Sequence, residues 1–181
     1  MHYASNKHLE NLVLSALFLA LAYILPFLTG NIPQVGSMLL PMHIPVLLCG
    51  FLCGAPWGLA VGMVAPIMRS LLTGGFPPMF PTAAAMAFEL AVYGFVSGFV
   101  YRRLPKKLPN AYIALGAAMV CGRAVWGLVM SLLLMNGDGF TFAAFAAGAF
   151  TNAIPGIILQ LLVIPPVVVA MRQFSFRPGE V

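Results

Sequence analysis

The sequence predicts an all-α, polytopic membrane protein: one domain over residues 1–181, six transmembrane helices, and both termini cytoplasmic. Three observations lead there. Hydrophobic residues make up 61% of the chain and charged ones 7%, with a mean hydropathy of +0.99, a balance foreign to ordinary soluble domains. The apolar residues fall into runs separated by Gly, Pro, Asn and charged positions. Most of the basic residues stand at the ends of those runs. A pI near 9.5 would point to nucleic acid if the cations formed one surface patch; spread over run ends they report membrane orientation, so no nucleic-acid partner is expected.

Residues 1–11 are polar, with Lys7, His8 and Glu10, and lead into an apolar run at 12–28, about 17 residues and enough for a first span. No small-x-small cleavage site follows, so this helix is expected to be retained rather than removed as a signal peptide. Ala16 and Ala20 stand one turn apart on it, a spacing that lets another helix approach closely. From spacing alone that neighbour is either a helix of the same chain or a partner. Residues 29–41 hold turn formers and no charge, and read as a loop. At about 13 residues it has the length of a lid or binding loop. The second helix is expected at 42–53, short for a perpendicular span, and the third at 57–72. Pro66 is expected to break the third, since it donates no N–H and leaves the Gly62 carbonyl without its usual partner. A Gly/Pro turn at 73–78 precedes the fourth helix, 82–101, which ends in Arg102, Arg103, Lys106 and Lys107. The fifth is expected at 111–135, with Arg123 near its middle, and the sixth at 146–171, broken at Pro155.

Six spans put both termini on one side of the membrane. Lys7, the 102–107 cluster, Arg172 and Arg177 then share that side, whereas the opposite loops carry only Asp138. The basic excess makes the shared side cytoplasmic. Of the nine Lys and Arg, only Arg69 and Arg123 remain for the membrane interior.

Ionisable groups inside apolar runs nearly always face a protein-lined cavity, because lipid exposure costs about 2.5–3.5 kcal/mol by insertion scales. The stretch 69–89, with an arginine ending one run and a glutamate inside the next, is therefore read as organising a pocket that opens on the non-cytoplasmic side. Its candidate lining is His43, Arg69, Glu89, Tyr93, Arg123 and Asn152. Tyr93 shares a helix face with Glu89 at i,i+4. Each has a structural alternative: Glu89 as a helix-to-helix ion pair with Arg123 or Arg69, His43 as a solvated or capping residue, Asn152 as a bridge between helices. Two arginines against one glutamate leave a surplus cation if all three meet, which a solute carboxylate would balance. Cys49 and Cys53 lie i,i+4, but no further Cys or His completes a zinc site. They are read as packing residues, and no metal or cofactor is expected.

These residues carry a likeness that covers nearly the whole chain. The Ala16-x-x-x-Ala20 spacing, Pro41-Met42-His43-Ile44-Pro45-Val46, the run 58–69, Pro77-Pro78-Met79-Phe80-Pro81 and Met86-Ala87-Phe88-Glu89-Leu90-Ala91-x-Tyr93-Gly94 resemble the substrate-binding S components of energy-coupling factor (ECF) vitamin transporters, in particular a branch linked to pantothenate. The resemblance implies a multi-pass protein of the bacterial plasma membrane that captures a vitamin-like solute, pantothenate favoured, at the outer face. It implies docking on a transmembrane coupling subunit driven by two ATPase subunits, with Ala16 and Ala20 facing the coupling subunit. The chain has no GxxxxGK[ST] phosphate loop, so ATP use would belong to those partners.

Two other classes compete. A self-sufficient small-solute transporter or channel would be expected to show an internal repeat or paired broken helices, of which Pro66 and Pro155 are a faint echo. An intramembrane enzyme would need paired Glu and His, Ser and His, or two Asp at matching depth, and no such set stands in the runs.

Overall fold

Inside a bilayer no water is available to bond a free amide, so a spanning backbone must satisfy itself, and a helix does so within one segment. A computed structural model of the chain, which describes residues 7–28, 38–134 and 153–174, is accordingly all-helical, with no strand among those residues. The helices are α1 (Lys7–Leu28), α2 (His43–Cys53), α3 (Ala55–Leu72), α4 (Ala84–Arg103), α5 (Leu108–Leu133) and α6 (Ile154–Phe174), with a wide turn at Met79–Ala83 before α4. Five of them have the length and apolarity to cross a membrane; α2, with 11 residues, does not. At 1.5 Å per residue it covers about 16 Å, roughly half of the hydrocarbon core.

Helix ends depart from the sequence expectation where polar residues wind into the first turn. α1 starts at Lys7 rather than at residue 12, with Glu10 in its first turn, where a carboxylate complements the positive end of the helix. α5 starts at Leu108 with proline in its first turn, where the missing N–H costs nothing. One expected proline break is corrected: α3 runs unbroken through the buried Pro66. Pro155 lies in the opening turn of α6, where its ring is tolerated; residues 146–152, where the sixth helix is expected to begin, lie outside the described residues. α6 also continues through Pro165 and Pro166. Most of the expected 29–41 loop, and Thr151 and Asn152, lie outside the described residues; of that loop Leu40 is seen with a left-handed φ of 50°, just ahead of α2.

α2, α3 and α4 form a frame in which backbone touches backbone. A Cβ placed on Gly94 of α4 would stand 2.2 Å from the Gly58 carbonyl oxygen of α3, and one on Gly58 would stand 2.5 Å from the Gly94 oxygen. Gly62 meets the Leu90 carbonyl, and Gly50 of α2 meets Gly94 and Ser97, in the same way. Without a hydrophobic driving force between membrane helices, such close approach is how they associate. The frame closes at Gly54, whose φ of +102° turns α2 directly into α3, and Arg102 donates from Nη2 to the Cys53 carbonyl at 2.8 Å. α1 lies on the α2–α3 side through Ser15, Phe18 and Ala22. α5 and α6 complete the other side around Leu47, Phe51, Tyr93, Leu115 and Ile164.

This packing gives a contrast to test. Gly94→Val should force α3 and α4 apart and abolish monodisperse protein in detergent, because overpacking with no room to shift costs at least about 1–3 kcal/mol. Gly116→Ala, in α5 with nothing near its Cβ position, should melt at or above the wild-type temperature. Equal melting of the two variants would refute the frame.

Candidate functional site

The polar interior is built where three helices meet. Glu89 and Tyr93 stand one turn apart on α4, His43 opens α2, and Arg123 lies in the second half of α5. All are buried: His43, Glu89 and Tyr93 are 1% exposed and Arg123 6%. Arg123 Nη1 lies 2.8 Å from Glu89 Oε1, and His43 Nε2 lies 3.6 Å from the same oxygen. His43 also stands edge-on to the Tyr93 ring, centroid to centroid 5.1 Å. Gly122 permits this arrangement. A Cβ there would meet the Tyr93 ring at 2.6 Å, so the neighbour of Arg123 must be a glycine for α5 to come this close to α4.

The cluster is paired by charge but incompletely hydrogen-bonded. The Arg123–Glu89 approach lacks the alignment of a hydrogen bond, and Glu89 Oε1, both His43 ring nitrogens, and Arg123 Nε and Nη2 have no hydrogen-bond partner among the described residues. Buried polar groups are ordinarily satisfied. A group of them left over around one ion pair makes this cluster the candidate site.

His43, Glu89, Tyr93 and Arg123 are thus brought together from the sequence-predicted set. Arg69 is not placed with them by any of its observed contacts. It is buried, but its guanidinium turns to the C-terminal part of α1, donating to the Tyr23 carbonyl at 3.4 Å and standing 5.4 Å from the Phe27 ring and 5.9 Å from the Phe76 ring. Asn152 lies outside the described residues. His43 is not solvated, and its side chain caps no helix. Ala16 and Ala20 are exposed, on the face of α1 opposite the buried Ser15, Phe18, Ala22 and Pro26, and so lie away from the other described helices. Ser70, next to Arg69, Ser97 of α4, and Gln160 of α6 are buried polar residues that escaped the sequence reading, Gln160 being 1% exposed with both amide atoms unpartnered among the described residues. For Gln160 a signal existed, since it is the only polar side chain between residues 154 and 171.

Removing one member of the pair should be costly. Arg123→Met strands a buried carboxylate and should lower stability by about 3–5 kcal/mol, read as thermal melting in detergent. Adding Glu89→Gln should recover most of that loss. A double variant no better than the single would mean that the two side chains do not interact.

No curated protein matches the chain. The family model for the ECF transporter, substrate-specific component, matches residues 10–168, a span that runs from the first turn of α1 into α6 and includes every residue of the buried cluster. With five helices able to cross a membrane, the chain is an integral membrane protein and a transport subunit rather than an enzyme. It belongs to the family of substrate-specific components of ECF transporters.

Proposed function

We propose that this subunit captures a small carboxylate-bearing, vitamin-like solute at the outer face of the membrane, with pantothenate favoured, and that it delivers the solute after docking on a coupling subunit energised by two ATPases. The observation that carries the solute class is the division of labour on one guanidinium. Arg123 turns Nη1 to Glu89 and keeps Nε and Nη2 without a partner among the described residues. Those two N–H groups form the side-on fork of arginine, which matches the two oxygens of a carboxylate. The first turn of α2, at His43, adds the positive end of a helix beside the same group. A solute carboxylate seated on the fork would complete Arg123 while Glu89 stays paired through Nη1.

The case for an anion therefore differs from the one made on composition. With Arg69 turned toward α1, the cluster holds one arginine and one glutamate and is neutral as a unit. Directional donors, and not a surplus of charge, select the carboxylate. Glu89 then holds the guanidinium in place rather than competing with the solute for all of it. His43 and Tyr93 stand beside the pair as the neighbouring walls, and Asn152 is carried as a further contact from the segment before α6.

The partner face is assigned to α1. Ala16 and Ala20 are exposed there together with Val13, Leu17 and Ile24, and small residues at i,i+4 admit close approach of a second helix. The cytoplasmic placement of both termini follows the basic cluster at Arg102–Lys107, which extends from the inner end of α4 in this reading.

Two variants test the two halves separately. Arg123→Lys keeps a cation for Glu89 but lacks the fork, so pantothenate binding measured by calorimetry should fall at least about tenfold with melting temperature nearly unchanged; equal affinity would remove Arg123 from the site. Ala20→Trp should leave pantothenate binding intact and abolish uptake in cells supplying the coupling module. Retained uptake would move the partner surface elsewhere.

A further inference from the structure

Gln160 is the buried polar residue that the pair, the frame and the docking face leave unused. A glutamine in a membrane helix usually bonds across to a neighbouring helix. Gln160 is 1% exposed, and neither its Oε1 nor its Nε2 has a hydrogen-bond partner. Its place in the bundle follows from the register of α6. One turn before it, a Cβ on Gly156 would stand 2.6 Å from the Met38 carbonyl oxygen and 2.9 Å from that of Leu39, just ahead of α2. One turn after it, Ile164 is fully buried in the same core as Leu47, Phe51 and Tyr93. Residues four apart share a helix face. Gln160 therefore lies on the face of α6 that meets the chain just ahead of His43 at one turn and enters the core holding Leu47 and Tyr93 at the next.

We propose that Gln160 is a further solute contact, and that it reads an uncharged amide of the solute whose carboxylate sits on Arg123. The inference rests on the carboxylate reading of the site and deepens it. A primary amide offers a donor and an acceptor in one plane, so its complement is a group with the same pair reversed: a –CO–NH– unit. Arg123 offers donors only, and Glu89, its ion-pair partner at 2.8 Å, offers acceptors only. Gln160 with His43, whose ring supplies one donor and one acceptor when neutral, gives the site a second end with both polarities. The solute class is then a carboxylic acid that carries an amide, and simple aromatic or aliphatic monocarboxylates leave Gln160 unpaired. A site built to bond a polar group discriminates strongly against analogues that lack it.

The test compares wild type with Gln160→Leu, which matches the side chain in size and removes both polar atoms. Without solute, Gln160→Leu should melt about 2–4 °C higher, because an unpaired buried amide is replaced by an apolar group. A helix-bridging role would lower the melting temperature instead, and that result would overturn the assignment. Pantothenate, which has both carboxylate and amide, should bind Gln160→Leu at least tenfold more weakly than wild type, and unchanged affinity would also overturn it. Mass spectrometry of solutes co-purifying with wild type, Arg123→Lys and Gln160→Leu separates the two readings. A solute lost from Gln160→Leu but retained by Arg123→Lys sinks the carboxylate reading and keeps the amide contact. One lost only from Arg123→Lys does the reverse.

Discussion

The Glu89–Arg123 pair is the constraint on which the interior depends. Neither group can be taken out of water alone at this depth, and each is tolerable only because the other is 2.8 Å away. That distance is set by backbone and not by side-chain choice. α5 reaches α4 closely enough because Gly122 leaves room for the Tyr93 ring, and α4 is itself fixed against α2 and α3 by contacts between main chains. The ion pair is thus the consequence of a rigid frame, and the frame is what small residues at helical spacing supply when lipid removes the hydrophobic drive for association.

A buried pair of this kind is weak as a source of stability, since well-packed apolar residues would do as well or better. Its retention calls for another role. The unpartnered edge of Arg123, both nitrogens of His43 and the amide of Gln160 lie in a bundle whose other buried side chains are mostly apolar. Leaving that many polar groups incomplete is costly for a structural clamp and ordinary for a site that completes them with solute. The cost is borne by a frame stiff enough to hold the groups apart from one another, so that they do not collapse into mutual bonds.

Much of this was legible in the sequence, and the exceptions have physical reasons. The apolar runs mark each of the described helices, since run length and charge placement are one-dimensional properties. The grouping of His43, Glu89 and Tyr93 with Arg123 was also legible, because ionisable residues in apolar runs have few places to go. Arg69 was not. By type and position it matches Arg123, but its helix presents it to α1, where the Tyr23 carbonyl and two aromatic rings receive the guanidinium. Which way a buried arginine turns depends on the neighbouring helix, and one chain read in order does not name the neighbour. Pro66 misled for a related reason: a proline counts as a break only if the carbonyl it frees, or the N–H it lacks, had no other provision. Gln160 was passed over because an amide carries no charge and hardly alters the hydropathy of its run.

α2 gathers these threads. It is the shortest of the described helices, yet it touches both surfaces that matter to the proposed cycle. At its N-terminal end His43 stands against Glu89 and Tyr93; in its C-terminal half Cys49 meets Ser15 of α1 at 3.5 Å. Between them Gly50 is held against Gly94 and Ser97 of α4. A helix so short has no slack to absorb a displacement at one end, because packed interiors repack between discrete arrangements rather than deform smoothly. Any rearrangement that completes the His43 end is therefore borne by the same 11 residues that support the face of α1 opposite Ala16 and Ala20. In the proposed cycle solute and partner use separate surfaces, and α2 packs behind both, at His43 on one side and at Cys49 on the other.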